Sequence, residues 1–273
     1  LLAARAVHAP PERALPGAVA VELVHNFSLL HDDVMDGDVE RRHRPTVWRL
    51  FGMPTAILAG DALLTLAMQV LEETGEAAAS RWLTAAVRRL IEGQSADMAF
   101  ERRTEVGVGE CLDMAEGKTA SLMRCATALG AVLGGAPGTA VDELAEFGRE
   151  LGMAFQLVDD LLGIEGSPEV TGKPVLADLR VRKKSVPVVV AMASSTGDGA
   201  ALAELYRRAD PPGEAELRRM ADLVERTGAI EWTRRRARRY IDQARARLDR
   251  LGPPPEIHAA LSDLTQFVVE RDR

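Results

Sequence analysis

ALPGAVAVELVHNFSLLHDDVMDGDVERRHRP, residues 14 to 45, decides how the rest of this chain is read. Its first two thirds are apolar on nearly every helical face, through Val19, Val21, Leu23, Val24, Phe27, Leu29 and Leu30. Pro16 falls in the first turn, where its missing N–H has no intrahelical partner to lose. The spacing predicts one long helix over residues 14–36, and a helix apolar all round belongs at the centre of a bundle. Asp32, Asp33 and Asp36 close that helix, and Arg41, Arg42 and Arg44 follow at once. Asp32 and Asp36 stand one turn apart on one face, where like charges repel by roughly a few tenths of a kcal/mol. A divalent cation would compensate. Mg²⁺ suits the position because it takes carboxylate oxygens, keeps several waters and binds substrate phosphates. Taken alone, the same residues also fit a solvated helix end.

Composition narrows the setting. The chain has 273 residues, 47% of them hydrophobic and only 4% aromatic, with a net charge of −7. Abundant Ala, Leu, Arg and Glu favour helix over sheet, and the acidic balance argues against general nucleic-acid binding. No apolar run of membrane-spanning length is expected and no signal peptide is legible, so a cytoplasmic protein without stable membrane insertion is expected. Cys111 and Cys125 have no metal-site spacing and read as free thiols of a reducing compartment. Further helices are predicted after Pro54, over 78–101, 108–133 and 141–164, and then near 187–193, 199–209, 215–227, 230–251 and 256–271, with no strand pairs. The fold expected is all-α, a single-domain helical bundle. The basic stretch at 233–247 reads as a solvated face rather than a nucleic-acid surface.

A second acid pair ends a second apolar helix: FQLVDDLLG carries Asp159 and Asp160. Facing helices of a bundle build metal sites from such residues. Lys173 follows in TGKP, then Arg180, Arg182, Lys183 and Lys184, while EGKTASLM supplies Lys118 and Thr119. Carboxylates for a divalent metal beside Arg and Lys form the set a diphosphate needs. Helices of Ala, Leu, Val and Phe beneath them would take a hydrocarbon tail.

With these residues in view, the chain closely resembles the trans-isoprenyl diphosphate synthases over nearly its whole length. LLHDDVMDGDVERRHRPT resembles their first aspartate-rich motif with its paired arginines, and FQLVDDLLGIEGSPEVTGKPVLADLRVRKKSVPVV their second with its lysine loop. EGQSADM and EGKTASL resemble intervening helix motifs. The resemblance implies a Mg²⁺-dependent prenyltransferase with three metal ions when substrate is bound. It implies that Asp32, Asp36 and Asp159 ligate the metal, with Asp33 and Asp160 supporting them. Arg41, Lys118 and Lys173 would hold the allylic diphosphate, with Thr119, Gln156 and Lys183 nearby. His25 and Arg42 would contact isopentenyl diphosphate, and Gln94 and Asp97 would line the mouth. Phe27 and Ser28, just before the first motif, would set chain length, and a bulky Phe27 points to geranylgeranyl diphosphate with farnesyl diphosphate as competitor. A homodimer is implied as well.

Two features depart from the pattern. Gly163 stands where the third aspartate of the second motif is usual, so weakened metal binding is expected there. The sequence opens without Met, inside an expected helix ending near Pro10, and lacks the upstream GGKR-type motif, so a missing N-terminal segment is expected of a domain spanning 1–273. Rival functions are a terpene cyclase on the same fold, in which His25 and Arg42 would lose their purpose, and a non-catalytic synthase subunit, in which degraded aspartate motifs would be usual.

Overall fold

Turn-forming glycines and prolines divide the chain into segments of helical periodicity, and the structure follows that division. It is a computed structural model in which residues 1–166 and 176–270 are described. Helices span Leu2–Ala6, Leu15–Asp36, Val47–Phe51, Met53–Glu72, Ala77–Arg102, Val108–Ala115, Ser121–Leu133, Gly138–Glu165, Ala177–Arg180, Val186–Met192, Gly197–Tyr206, Glu214–Arg226, Ala229–Leu251 and Pro255–Glu270. A 3-10 turn covers Pro11–Ala14 and a π turn Glu116–Ala120. The all-α expectation holds.

The residues group into two compact units. The first comprises Leu1–Arg88, Leu122–Gly148 and Arg247–Leu261. Within it, the first aspartate helix, Leu15–Asp36, packs chiefly on Met53–Glu72. It buries Gly17, Ala20, Val24, Phe27 and Asp33, a single stripe at helical spacing. Gly17 lies against Leu129 and Leu133, where a Cβ would come within 2.8 Å of a Leu133 methyl. The expectation of burial on every face is corrected: Leu15 and Val19 remain 53% and 41% exposed. The neighbouring helices cover one stripe, and hydrophobic content alone does not say how many faces are covered.

Gly37 ends this helix in the left-handed conformation, at φ 70, and donates its N–H to the Asp33 carbonyl. A short antiparallel pair follows, Glu40–Arg41 with Arg44–Pro45, where no strands were expected. Arg42 and His43 turn it at positive φ, 52 and 61, a geometry that matches strand twist in two-residue hairpins. At its base the Asp38 carbonyl accepts from Thr46 Oγ1 at 2.8 Å and Trp48 Nε1 at 2.7 Å.

Met53–Glu72 corrects a second expectation. Among the described residues it is the one helix long and apolar enough to cross a membrane, with mean hydropathy 1.5 and 22% of that window buried. It carries Asp61 within its length, which interrupts the apolar run in the sequence.

The second unit comprises Arg89–Ser121, Arg149–Ala246 and Ser262–Arg273. Leu161, Leu179, Val188, Leu202, Leu217 and Met220 form its core. The second aspartate helix, Gly138–Glu165, supplies Leu161 and Ile164 to it. The helix predicted over 108–133 is interrupted by the π turn, and the predicted basic loop contains the short helix Ala177–Arg180.

Candidate active site

The first aspartate cluster stands at the negative end of a helix dipole, which adds to its charge. Asp33 is buried, Asp32 half-buried and Asp36 exposed. Arg41 Nε donates to Asp33 Oδ1 at 2.7 Å, and Arg41 Nη2 lies 3.9 Å from Asp38 Oδ2. The hairpin thus returns Arg41 to the acids that precede it and leaves Arg42 exposed at its tip.

One turn below, Phe27 is buried and its ring meets His31 edge-on at 4.8 Å. His31 Nε2 pairs with the Ile57 carbonyl at 3.0 Å and lies 3.8 Å from Asp61. A Cβ on Gly60 would fall on the His31 ring, so Gly60 is the notch that admits it. Sequence reasoning missed His31 and Gly60. The i, i+4 spacing of Phe27 and His31 was the available signal. Ser28 Oγ donates to the His25 carbonyl at 2.8 Å, within the helix, and His25 is half-buried.

The second cluster is built on a close helix crossing. A Cβ on Gly93 would fall on the Lys118 backbone, and one on Gly117 would come 2.8 Å from the Arg89 carbonyl. These are the glycines of EGQSADM and EGKTASL, and the motifs are therefore partners in space. The crossing brings Lys118 Nζ to Asp97 Oδ2 at 2.7 Å. The π turn that carries Lys118 and Thr119 is a feature common at functional sites. Thr119 Oγ1 donates to Gln156 Oε1, and Gln156 Nε2 donates to Asp160 Oδ1 at 2.8 Å. The Val186 N–H donates to Asp160 Oδ2, also at 2.8 Å.

Burial pushes the Asp160 carboxyl up to about 6, while Lys183, the Val186 N–H and Gln156 oppose that rise. Burial lowers the Lys183 ammonium, but Asp178, Asp160, Asp97 and Asp159 outweigh it and hold Lys183 above the usual lysine range. Gln94 is buried with its Oε1 lacking a partner among the described residues, a state that marks a place for a donor, water or ion. Lys173 lies outside the described residues.

The donors fit a hard divalent cation. Each cluster offers carboxylate oxygens, and Asp32 and Asp36 are one turn apart. Among the described residues no three His, Cys, Asp or Glu side chains converge on one point. Mg²⁺ is commonly held by one or two carboxylates, water and substrate phosphates, without a closed protein cage.

Comparison with known proteins agrees with this chemistry. Residues 1–224 match the family model described as polyprenyl synthetase. The chain is 49% identical over 276 residues to (2E,6E)-farnesyl diphosphate synthase of Mycobacterium tuberculosis, covering 99% of this chain and 77% of that protein. A polyprenyl synthetase from Streptomyces coelicolor A3(2) superposes with TM-score 0.93 at 48% identity, covering 98% of this chain and 82% of that one. Geranylgeranyl pyrophosphate synthase of Corynebacterium glutamicum, solved with isoprenyl diphosphate and magnesium, gives TM-score 0.86 at 29% identity, covering 98% of this chain and 84% of that one. This chain belongs to the polyprenyl synthetase family and is a prenyltransferase of the prenyl diphosphate synthase type.

Proposed function

We propose that the protein condenses isopentenyl diphosphate with an allylic diphosphate, head to tail, and stops at a short-chain product. The carrying observation is that two aspartate pairs end two long helices beside basic side chains: Arg41 is bonded to Asp33, Lys118 is paired with Asp97, and Lys183 is held charged by acids that include Asp160 and Asp159. Asp32, Asp36 and Asp159 would each hold Mg²⁺, three ions in all when substrate is bound. Bound metal supplies charge neutralisation for the leaving diphosphate. Arg41, Lys118 and Lys173 hold that diphosphate, with Thr119, Gln156 and Lys183 beside them, and His25 and Arg42 hold isopentenyl diphosphate. The allylic C1–O bond breaks with its electron pair leaving on diphosphate. The isopentenyl double bond then attacks C1, and a proton passes to the departing diphosphate. Apolar side chains keep out the water that would quench the cation.

Product length is set at Phe27, whose buried ring is supported by His31. Fifteen carbons is at least as well supported as twenty, since the 49% identical relative is named a farnesyl diphosphate synthase. The whole chain acts as one synthase domain in the cytoplasm, a setting supported by the free thiols of Cys111 and Cys125. It works as a homodimer through the apolar surface around Leu50, Phe51, Met53 and Leu58, each at least half exposed.

The test offers dimethylallyl, geranyl and farnesyl diphosphates in turn with isopentenyl diphosphate and Mg²⁺, and weighs the products by mass spectrometry. A fifteen- or twenty-carbon diphosphate is expected, lengthened in Phe27→Ala. A hydrocarbon formed without isopentenyl diphosphate would mean a cyclase. An unchanged product from Phe27→Ala would place the stop elsewhere.

A further inference from the structure

The hairpin after the first aspartate helix turns on two residues at positive φ, Arg42 at 52 and His43 at 61. Residues other than glycine keep that conformation where their surroundings impose it. Two braces do so here. The first runs to the aspartate helix: Arg41 Nε donates to Asp33 Oδ1 at 2.7 Å, and the Asp38 N–H donates to the Asp33 carbonyl at 3.0 Å. The second gathers on the Asp38 carbonyl, which accepts from Thr46 Oγ1 at 2.8 Å and from Trp48 Nε1 at 2.7 Å. The Thr46 N–H closes the same end by donating to the Val39 carbonyl at 3.1 Å. Asp38 follows directly on Gly37, which ends the helix, so its peptide group is the hinge between the aspartates and the hairpin.

Thr46 is committed to this brace at the expense of another bond. It is 3% exposed and stands at the N-cap of Val47–Phe51, with an extended backbone at φ −69 and ψ 158. A threonine there ordinarily accepts from an N–H of its own helix. Among the described residues its side chain makes no such bond, and its hydroxyl is given to Asp38 instead. All five residues of Val47–Phe51 are half-buried or exposed, so the helix contributes little to the core. It does present Trp48, whose indole has a single donor and spends it on the same carbonyl. A carbonyl oxygen has two lone pairs, and this short segment fills both.

We propose that Trp48 and Thr46 are positioning residues for Arg42: through the Asp38 carbonyl they hold the hairpin in the form that presents its tip guanidinium to isopentenyl diphosphate. Without them the turn relaxes, and part of the binding energy of the diphosphate is spent on ordering the hairpin again. The inference rests on the reading of Arg42 as a group that holds isopentenyl diphosphate, and it adds the residues that aim it.

The test measures KM for isopentenyl diphosphate at saturating allylic diphosphate, beside kcat, the allylic KM and thermal unfolding of the full chain. Trp48→Phe keeps a ring and removes the donor, and Thr46→Val keeps the shape and removes the hydroxyl. Each is expected to raise the isopentenyl diphosphate KM roughly fivefold, the scale of one hydrogen bond, with kcat and the allylic KM within about twofold of wild type. Thr46→Ser retains the hydroxyl and is expected to keep the wild-type KM. In an Arg42→Met background, where that KM is already raised, Trp48→Phe is expected to add nothing, because the indole acts through the arginine. An equal further rise in that background, or a lower thermal midpoint with KM unchanged, would make Trp48 a structural residue and overturn the inference. Wild-type KM in Trp48→Phe and Thr46→Val, with Arg42→Met raised, would overturn the inference alone. Wild-type KM in Arg42→Met would overturn the reading of Arg42 and the inference with it.

Discussion

The two aspartate pairs carry the same two letters and live in different surroundings. In each, the second aspartate is the buried one, Asp33 at 5% and Asp160 at 4% exposure. Each is tied to a group further along the chain. Asp33 meets Arg41, whose side chain is 34% exposed, through a hairpin eight residues on. Asp160 meets the buried Val186 N–H and Gln156, and Lys183 lies close enough to oppose the rise in its pKa. The first pair is therefore anchored at a solvated edge and the second inside a buried polar network. An unmade hydrogen bond costs little where water can replace the partner and much where it cannot. The pairs should answer alike to loss of the first aspartate and differently to loss of the second.

The largest effect should come from the first aspartates. Asp32→Ala and Asp159→Ala should each lower kcat by at least about a thousandfold, since metal neutralisation of a leaving diphosphate is worth several kcal/mol. Steady-state rates against Mg²⁺ concentration would show it, and near-normal turnover in Asp32→Ala would sink the assignment. The second aspartates should separate on stability. Asp160→Ala leaves the Val186 N–H and the Gln156 amide without their acceptor and should cost about 3 kcal/mol in denaturant unfolding. Asp33→Ala frees a half-buried arginine that water can reach and should cost under about 1 kcal/mol. Equal losses would erase the distinction.

The glycines sharpen the same contrast. Gly93→Ala drives a methyl into the Lys118 backbone, which cannot turn aside, and should cost about 2–3 kcal/mol. Gly60→Ala meets the His31 ring, a side chain that can turn aside at the loss of its bond to the Ile57 carbonyl, and should cost about 1 kcal/mol. A shift in product length in Gly60→Ala would show that the ring supports Phe27. The smallest effect is alkaline. Lys183 titrates above its ordinary 10.5 because the acids around it outweigh burial. A cation with a raised folded pKa contributes stability that is whole below the unfolded pKa and lost as pH rises through the folded one. Tyr206, pushed up by burial, acts in the same sense. Thermal midpoints should fall above pH 10.5, less steeply in Lys183→Met, and parallel profiles would break the link to the second cluster.

Most of the helices were legible because periodicity is local. Turn residues such as Gly37 and Pro16 mark their own boundaries. The strand pair at residues 40–45 was not legible, since two residues per strand carry no alternation to read. Burial of the first aspartate helix was overread: Val19 is apolar and exposed, and no local pattern tells a covered face from an open one.

The sequence by itself determined the helical class, the two acid clusters with their trailing bases, and the resemblance that led to the family. These depend on residue type and on spacing within a few turns. Only the tertiary structure decided which aspartate of each pair turns inward. It also decided that Gly93 and Gly117 cross and that Gly60 makes room for His31. In each case a residue's role is set by an atom brought close from a distant segment, such as the Val186 N–H 26 residues from Asp160. Burial in a dry interior makes that one partner decisive.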